Sequence, residues 1–179
     1  MAGEPPIFTI GHSTRSIAEF ADLLRHGSAD LVVDVRTVPR SRRNPQYNED
    51  ALGGELAAFQ ISYARIAGLG GLRGRSTTVP LEVNAFWENQ SFHNYADYAL
   101  SDEFAGALAD LLEMSSLRRC AIMCAEALWW RCHRRIIADY LLVRGRTVLH
   151  LMGTDRLEPA ELTPAAHVNE GKLVYPQSG

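Results

Sequence analysis

Leu31-Val-Val-Asp-Val35 is a near-continuous apolar, β-branched run, followed at once by the polar stretch Arg36-Thr-Val-Pro-Arg-Ser-Arg-Arg43. A strand that is apolar without alternation is buried on both faces, the pattern of a parallel strand between two helical layers. Cys120-Ala-Ile-Met-Cys124 repeats that pattern. Ile7-Phe-Thr-Ile10, Ile61 to Ile66 and Thr147-Val-Leu-His-Leu151 complete the strand candidates. Helical spacing fills the intervals. Ser16 and Glu19 have the spacing of a capping box, and Ile17, Phe20, Leu23 and Leu24 then recur at helical intervals up to Gly27. Ala51 to Phe59 predicts a second helix. Phe92 to Leu112 predicts helix again, with Ser101 and Glu103 marking a break and a new start near Asp102. His133 to Arg144 places Ile136, Ile137, Tyr140 and Leu141 on one face and stops at Gly145.

Strands alternating with helices predict an α/β fold: a single three-layer domain with a mostly parallel sheet flanked by helices. The expected boundaries are a flexible N-terminus over 1–6, the domain over 7–152, and an irregular tail over 153–179 carrying Pro159, Pro164 and Pro176. Residues 36–48 and 68–80 read as loops, the second with Gly68, Gly70, Gly71 and Gly74.

Composition narrows the function classes. At 179 residues with 46% hydrophobic content, the chain can bury a proper core, and disorder throughout is excluded. No apolar run approaches the ~18 residues of a membrane helix, so no membrane partner is expected. Met-Ala-Gly-Glu-Pro-Pro lacks the basic and apolar regions of a secretory signal, and three cysteines do not make a disulfide framework. Both features predict the cytoplasm. The net charge of −3 argues against extended duplex binding. The 17 arginines and one lysine are unevenly spread: residues 34–43 carry a local net of +3 and residues 118–135 a net of +4. A planar guanidinium suits capture of phosphate or carboxylate, so the chain looks built to hold an anion locally.

In parallel sheets ligands collect beyond the carboxyl ends of the strands. That rule selects Gly11-His12-Ser13, Asp34-Val-Arg36 and Cys124-Ala-Glu126, each directly after a strand candidate. The expectation is that His12, Arg36 and Glu126 converge at one edge of the sheet.

Several of these segments occur together elsewhere. Thr9-Ile-Gly-His-Ser13, Asp34-Val-Arg-Thr-Val-Pro-Arg-Ser41, Asn44-Pro-Gln-Tyr-Asn48, Leu69-Gly-Gly71 and Cys124-Ala-Glu126 through Cys132-His-Arg134, in that order, resemble the domain-of-unknown-function family 488. Val148-Leu-His150 also fits, so the resemblance spans roughly 7–151. The chain departs from it between Glu126 and Cys132, where it carries Ala127-Leu-Trp-Trp-Arg131. The resemblance implies that a cysteine matters at position 132.

Cys132 precedes a helix start and has Arg131, Arg134 and Arg135 nearby, a setting that favours a thiolate. The alternative is a small cysteine packing the helix end. Cys124 and Arg131 have Cys-x6-Arg spacing, one residue longer than an oxyanion-binding phosphatase loop and without its glycine. Cys120 reads as core. Cys124, Cys132, His133 and His12 are ligand types for zinc or iron, but Cys-x7-Cys-His is not structural-zinc spacing and no metal is expected. A reversible Cys124–Cys132 disulfide is a further alternative. His12 can serve as a general base or donate to a carbonyl. Asp34 and Arg36 can be a structural pair, and Glu126 can orient an arginine or act as an acid. Trp129 and Trp130 are core or a stacking surface, while His93, Tyr95 and Tyr98 read as packing.

The candidate catalytic residues are therefore His12, Cys132 and Glu126. The candidate ligand-binding residues are Ser13, Asp34, Arg36, Arg40, Arg42, Cys124, Arg131, His133 and Arg134. The expected protein is an enzyme acting on a small anionic, phosphorylated or nucleotide-like ligand. A nucleic-acid or nucleotide binding module and a redox-responsive or metal-binding protein are the alternatives. No cofactor and no oligomeric state can be read from the residues.

Overall fold

In the computed structural model, which describes residues 3–153 and 156–177, strands Ile7–Gly11 (β1), Leu31–Asp34 (β2) and Cys120–Cys124 (β4) have every residue buried. This is what apolar runs without alternation demand. With Ser62–Arg65 (β3), Val148–Gly153 (β5) and Arg156–Pro159 (β6) they form a six-stranded sheet in the order β3-β2-β4-β1-β5-β6. All neighbours are parallel except β5 and β6.

The helices divide between the two faces. Phe8, Ile10, Val32, Ala121 and Met123 pack with Phe20, Leu23 and Leu24 of Ile17–His26 (α1) and with Leu52 and Leu56 of Glu49–Ala57 (α2). Alternate residues, Ile7, Val33, Ile122 and Val148, face the other layer. There they meet Asp102–Leu117 (α4) and Arg134–Val143 (α5), with Gln90–Tyr98 (α3) alongside. Each fully buried Leu, Ile or Phe contributes roughly 1.5–3 kcal/mol, so both layers are needed. The expected α/β fold, with a mostly parallel sheet between helices, is the one observed.

The local signals explain the helix ends. The Ser16 hydroxyl accepts from the Glu19 amide at 3.1 Å, and the Glu19 carboxylate accepts from the Ser16 amide at 3.0 Å. Ser101 caps α4 through the Phe104 amide, which is the predicted break. Helix α5 begins at Arg134, with His133 at its cap position.

The segment expected to be an irregular tail requires a correction. It contains β6 and a hairpin of His167–Asn169 (β7) and Lys172–Val174 (β8). Its two turn residues, Glu170 and Gly171, both have positive φ, as a two-residue primed turn requires. Pro159 is accommodated because β6 is an edge strand. Leu173 and Tyr175 are fully buried, and the Tyr175 hydroxyl donates to Asp139 of α5 at 2.8 Å. In the segment expected to be flexible, Met1 and Ala2 lie outside the described residues. Glu4 and Pro5 are engaged by Arg146, at 3.3 and 2.9 Å.

The topology makes a crevice. Strands β4 and β1 are neighbours, with Gly11 opposite Cys124. Yet β1 continues through α1 to β2 on one side, while β4 continues through α5 to β5 on the other. Chains diverging from adjacent strand ends leave an opening between them. Among the described residues no helix is long and apolar enough to cross a membrane.

Candidate functional site

A cavity of about 510 Å³ opens at that crevice. Its wall includes His12 from the end of β1, Arg36 and Arg40 from the loop after β2, and Cys124 and Glu126 from the end of β4. Arg131, Cys132 and His133 from the entry to α5 complete the predicted part. The expected convergence of His12, Arg36 and Glu126 is therefore present in the geometry.

The approach of the two central strand ends is close. A Cβ on Gly11 would lie 1.9 Å from the Glu126 carbonyl oxygen, so only glycine fits there. The His12 amide then donates to the Cys124 carbonyl at 2.9 Å and the Ser13 amide to Ala125 at 3.0 Å. Ser13 adopts φ 48 and does not line the cavity. Its carbonyl accepts from Nδ1 of His12 at 2.8 Å, which fixes the tautomer and leaves a lone pair on Nε2. The His12 ring stacks on Tyr47 at 4.2 Å. Burial, opposed by the Ser13 hydrogen bond and reinforced by Arg36, lowers the pKa of His12. The ring is thus a neutral acceptor at pH 7.

Arg36 stands beside it. Asp34, buried behind the wall, receives Nε at 2.9 Å and Nη2 at 2.7 Å in a two-point pair. Nη2 also donates to the Tyr47 carbonyl, and the Tyr63 hydroxyl donates to Asp34 at 2.6 Å. Only Nη1 is left to face His12 Nε2, at 3.5 Å. Asp34 therefore positions Arg36 and does not itself reach the cavity. A fully paired, buried carboxylate of this kind cannot lose its partner cheaply, at about 3–5 kcal/mol.

The two cysteines lie against each other, Sγ to Sγ 2.8 Å, both free. The Cys132 sulfur also receives the Arg134 backbone amide and Nε, each at 3.4 Å, and faces His133 Nδ1 at 3.4 Å. Burial opposes ionisation at both sulfurs. At Cys132 it is outweighed by the hydrogen bond from Cys124, by His133 and by Arg134, which bring its pKa well below the ordinary value. Cys124, buried and donating to Cys132, is pushed well above it. Of the two sulfurs, Cys132 is the one its donors favour as thiolate, and Cys124 the one that burial and its neighbour favour as thiol. Cys120 is core, as expected, and burial raises its pKa to about 11.

Arg134 lies beneath the cavity wall, 1% exposed. Besides Cys132 it donates to Thr9 Oγ1 at 3.2 Å and to the Glu126 carbonyl at 2.6 Å. Thr9 in turn meets His150 Nδ1 at 2.6 Å. His133 donates from Nε2 to the Val35 carbonyl at 2.8 Å, so Nδ1 is the nitrogen that faces Cys132. The Glu126 carboxylate accepts from the Leu128 amide at 3.1 Å, bracing the loop and not an arginine. Arg42 is exposed and does not line the cavity. Trp129 stacks on His150 at 4.4 Å and donates to Glu158 at 2.9 Å, while Trp130 is exposed. Among the described residues no three His, Cys, Asp or Glu side chains form a metal-ligand group.

Sequence reasoning missed part of the wall: Thr37, Val38, Ser41, Gly71, Leu72, Asn89, Ser91 and Phe92. Gly71 had a signal in the Leu69-Gly-Gly71 motif. A Cβ there would meet His133 Nδ1 at 2.3 Å, so the glycine makes room for the ring. Tyr47 likewise belongs to the Asn44–Asn48 motif, and its packing under His12 explains its presence. Asn89 to Phe92 arrive from the start of α3, which nothing in the local sequence connects to the sheet edge.

No curated protein and no solved structure gives a significant match to the chain. The family model described as Domain of unknown function DUF488 matches residues 16–141, most of the fold and nearly the whole site, and the chain belongs to that family.

Proposed function

We propose that this protein is an enzyme whose nucleophile is the Cys132 thiolate and whose substrate is a small anionic molecule. The observation that carries the reading is the Cys132 sulfur itself, at the cavity wall, with Arg134 Nε and His133 Nδ1 each 3.4 Å away. Thiolates held beside cations at helix starts are the reactive ones. Arg36, Arg40 and Arg131 line the same cavity and attract the anion, with Glu126 the acidic side chain among the residues lining it. His12 Nε2 is available to accept a proton or hold a substrate hydrogen. Buried free thiols suit a reducing compartment, and the cytoplasm is the proposed location.

Iodoacetamide at about pH 6.5 tests this, since alkylation follows thiolate fraction and access. Cys132 is expected to be labelled well before Cys120, and phosphate is expected to protect it. A Cys132 that reacts only in denaturant overturns the nucleophile. The second reading, a nucleotide-binding module without turnover, then takes over. Exposed Trp130 beside Arg131, together with Arg40, Arg42 and Arg43 exposed on the loop after β2, is what favours it.

A further inference from the structure

We infer that the reaction of this site is thiol–disulfide exchange, with Cys124 as the resolving thiol and a carboxylate-bearing low-molecular-weight disulfide as the substrate class. The inference rests on the reading of Cys132 as nucleophile and adds the role of its neighbour. In a one-cysteine mechanism Cys124 does no chemistry, being buried, protonated and hydrogen-bonded to the nucleophile. In a two-cysteine mechanism its position is the one required. The sulfurs are 2.8 Å apart and unbonded, less than about 1 Å longer than the ~2.05 Å of a disulfide bond, so closure needs only a small side-chain movement.

The steps balance. The Cys132 thiolate attacks one sulfur of R–S–S–R′, the substrate S–S bond breaks, and R′S⁻ leaves. Cys132 is now a neutral mixed disulfide: burial still opposes ionisation of Cys124, but the negative charge that added to it is gone. Arg134 remains beside both sulfurs and now favours ionisation of Cys124. The Cys124 proton passes to the departed R′S⁻, its sulfur attacks Cys132 Sγ, and RS⁻ is released. The dithiol loses two electrons to the substrate disulfide and ends as Cys124–Cys132. One cation, hydrogen-bonded to Cys132 and adjoining its partner sulfur, thus serves two successive thiolates.

The cavity supplies the substrate preference. Arg36, Arg40 and Arg131 offer guanidinium donors for carboxylates, while Val38, Leu72 and Phe92 give an apolar wall for the carbon chain. A neutral disulfide has no charge to pair with the arginines.

Reduced protein incubated with glutathione disulfide, or with neutral bis(2-hydroxyethyl) disulfide, is read by intact and peptide mass spectrometry. Wild type is expected to pass through a transient glutathionyl adduct on Cys132 and end with a loss of two hydrogens. Cys124→Ser is expected to stop at the adduct, and Cys132→Ser to form none at Cys124. Arg131→Ala is expected to slow glutathione disulfide by about tenfold, the worth of one charge-assisted contact, and to slow the neutral disulfide by much less. An adduct on wild type that never resolves, or equal rates for the two disulfides with Arg131→Ala silent, overturns the inference. Should Cys124→Ser not fold, the wild-type time course alone decides whether the adduct precedes ring closure. Cys132 alkylated at pH 6.5 and protected by phosphate, yet inert to both disulfides, leaves the nucleophile standing and removes the exchange. Cys132 inert to all reagents removes both.

Discussion

Arg134 has each guanidinium nitrogen engaged: Nε on Cys132, Nη1 on Thr9 and Nη2 on the Glu126 carbonyl. Thr9 holds this cation by accepting from it while sharing a hydrogen bond with His150 Nδ1. Thr9→Val keeps the volume and deletes the oxygen, leaving one buried guanidinium nitrogen unpaired. The expected result is a rise of about one pH unit in the midpoint of Cys132 ionisation, read by ultraviolet thiolate absorbance. An unchanged midpoint, with stability alone reduced, makes Thr9 a packing residue only.

At the scale of elements, the loop after β3 controls the site from a distance. A short 3-10 turn, Ala67–Leu69, is seated by the hydroxyls of Tyr95 and Tyr98 on α3, which donate to Leu69 at 2.8 Å and Gly68 at 2.6 Å. The next turn brings Gly71 against His133. Gly71→Ala would place a methyl 2.3 Å from Nδ1, a contact relieved only by turning the ring away from Cys132. The loop ends are pinned, so the ring moves first. Iodoacetamide labelling of Cys132 near pH 6.5 is expected to slow by about tenfold, with the thermal midpoint lowered by only a few degrees. Normal labelling of the variant removes His133 from the chemistry.

For the whole molecule, acid stability follows from two buried histidines, His12 just beyond the end of β1 and His150 on β5. Burial first, and Arg134 second, lower the His150 pKa from 6.5 to about 4, with Glu158 acting in the other direction. His12 is shifted the same way. The unfolded chain therefore takes up these protons before the folded one does. Stability is full above about pH 6.5, falls as pH drops towards about 4, and levels off below. For His150 alone the loss is on the order of 3 kcal/mol. Urea unfolding between pH 7 and 4.5 is expected to show this slope, and His150→Gln to flatten it. A parallel slope in the variant assigns the acid sensitivity elsewhere.

Much of this is legible in the chain alone. Leu31–Val35 and Cys120–Cys124 specify doubly covered strands because burial on both faces selects apolar residues, Asp34 being admitted at the strand end by its pairing with Arg36. Ser16 and Glu19 specify a helix start because the capping partners lie three residues apart. Strand ends followed by His12, Arg36 and Glu126 point to one sheet edge, since a parallel sheet gathers its carboxyl ends together. These signals are local or follow from strand direction, and the chain carries them in its own order.

The rest depended on segments distant in the chain meeting in space. That β4 inserts between β2 and β1 sets Cys124 opposite Gly11, and no residue in β4 announces its neighbours. The contact of Cys124 with Cys132 depends on how the 125–131 loop turns. That turn is set by the Glu126 carboxylate on Leu128 and by Trp129 lying on His150. The buried tail strands were hidden because Leu173 and Tyr175 find their cover on α5, more than thirty residues earlier. Residue types and the local signals for strands and helices are written along the chain. Which side chains face one another is decided by packing, because the free energy of burial depends on area and shape and not on sequence distance.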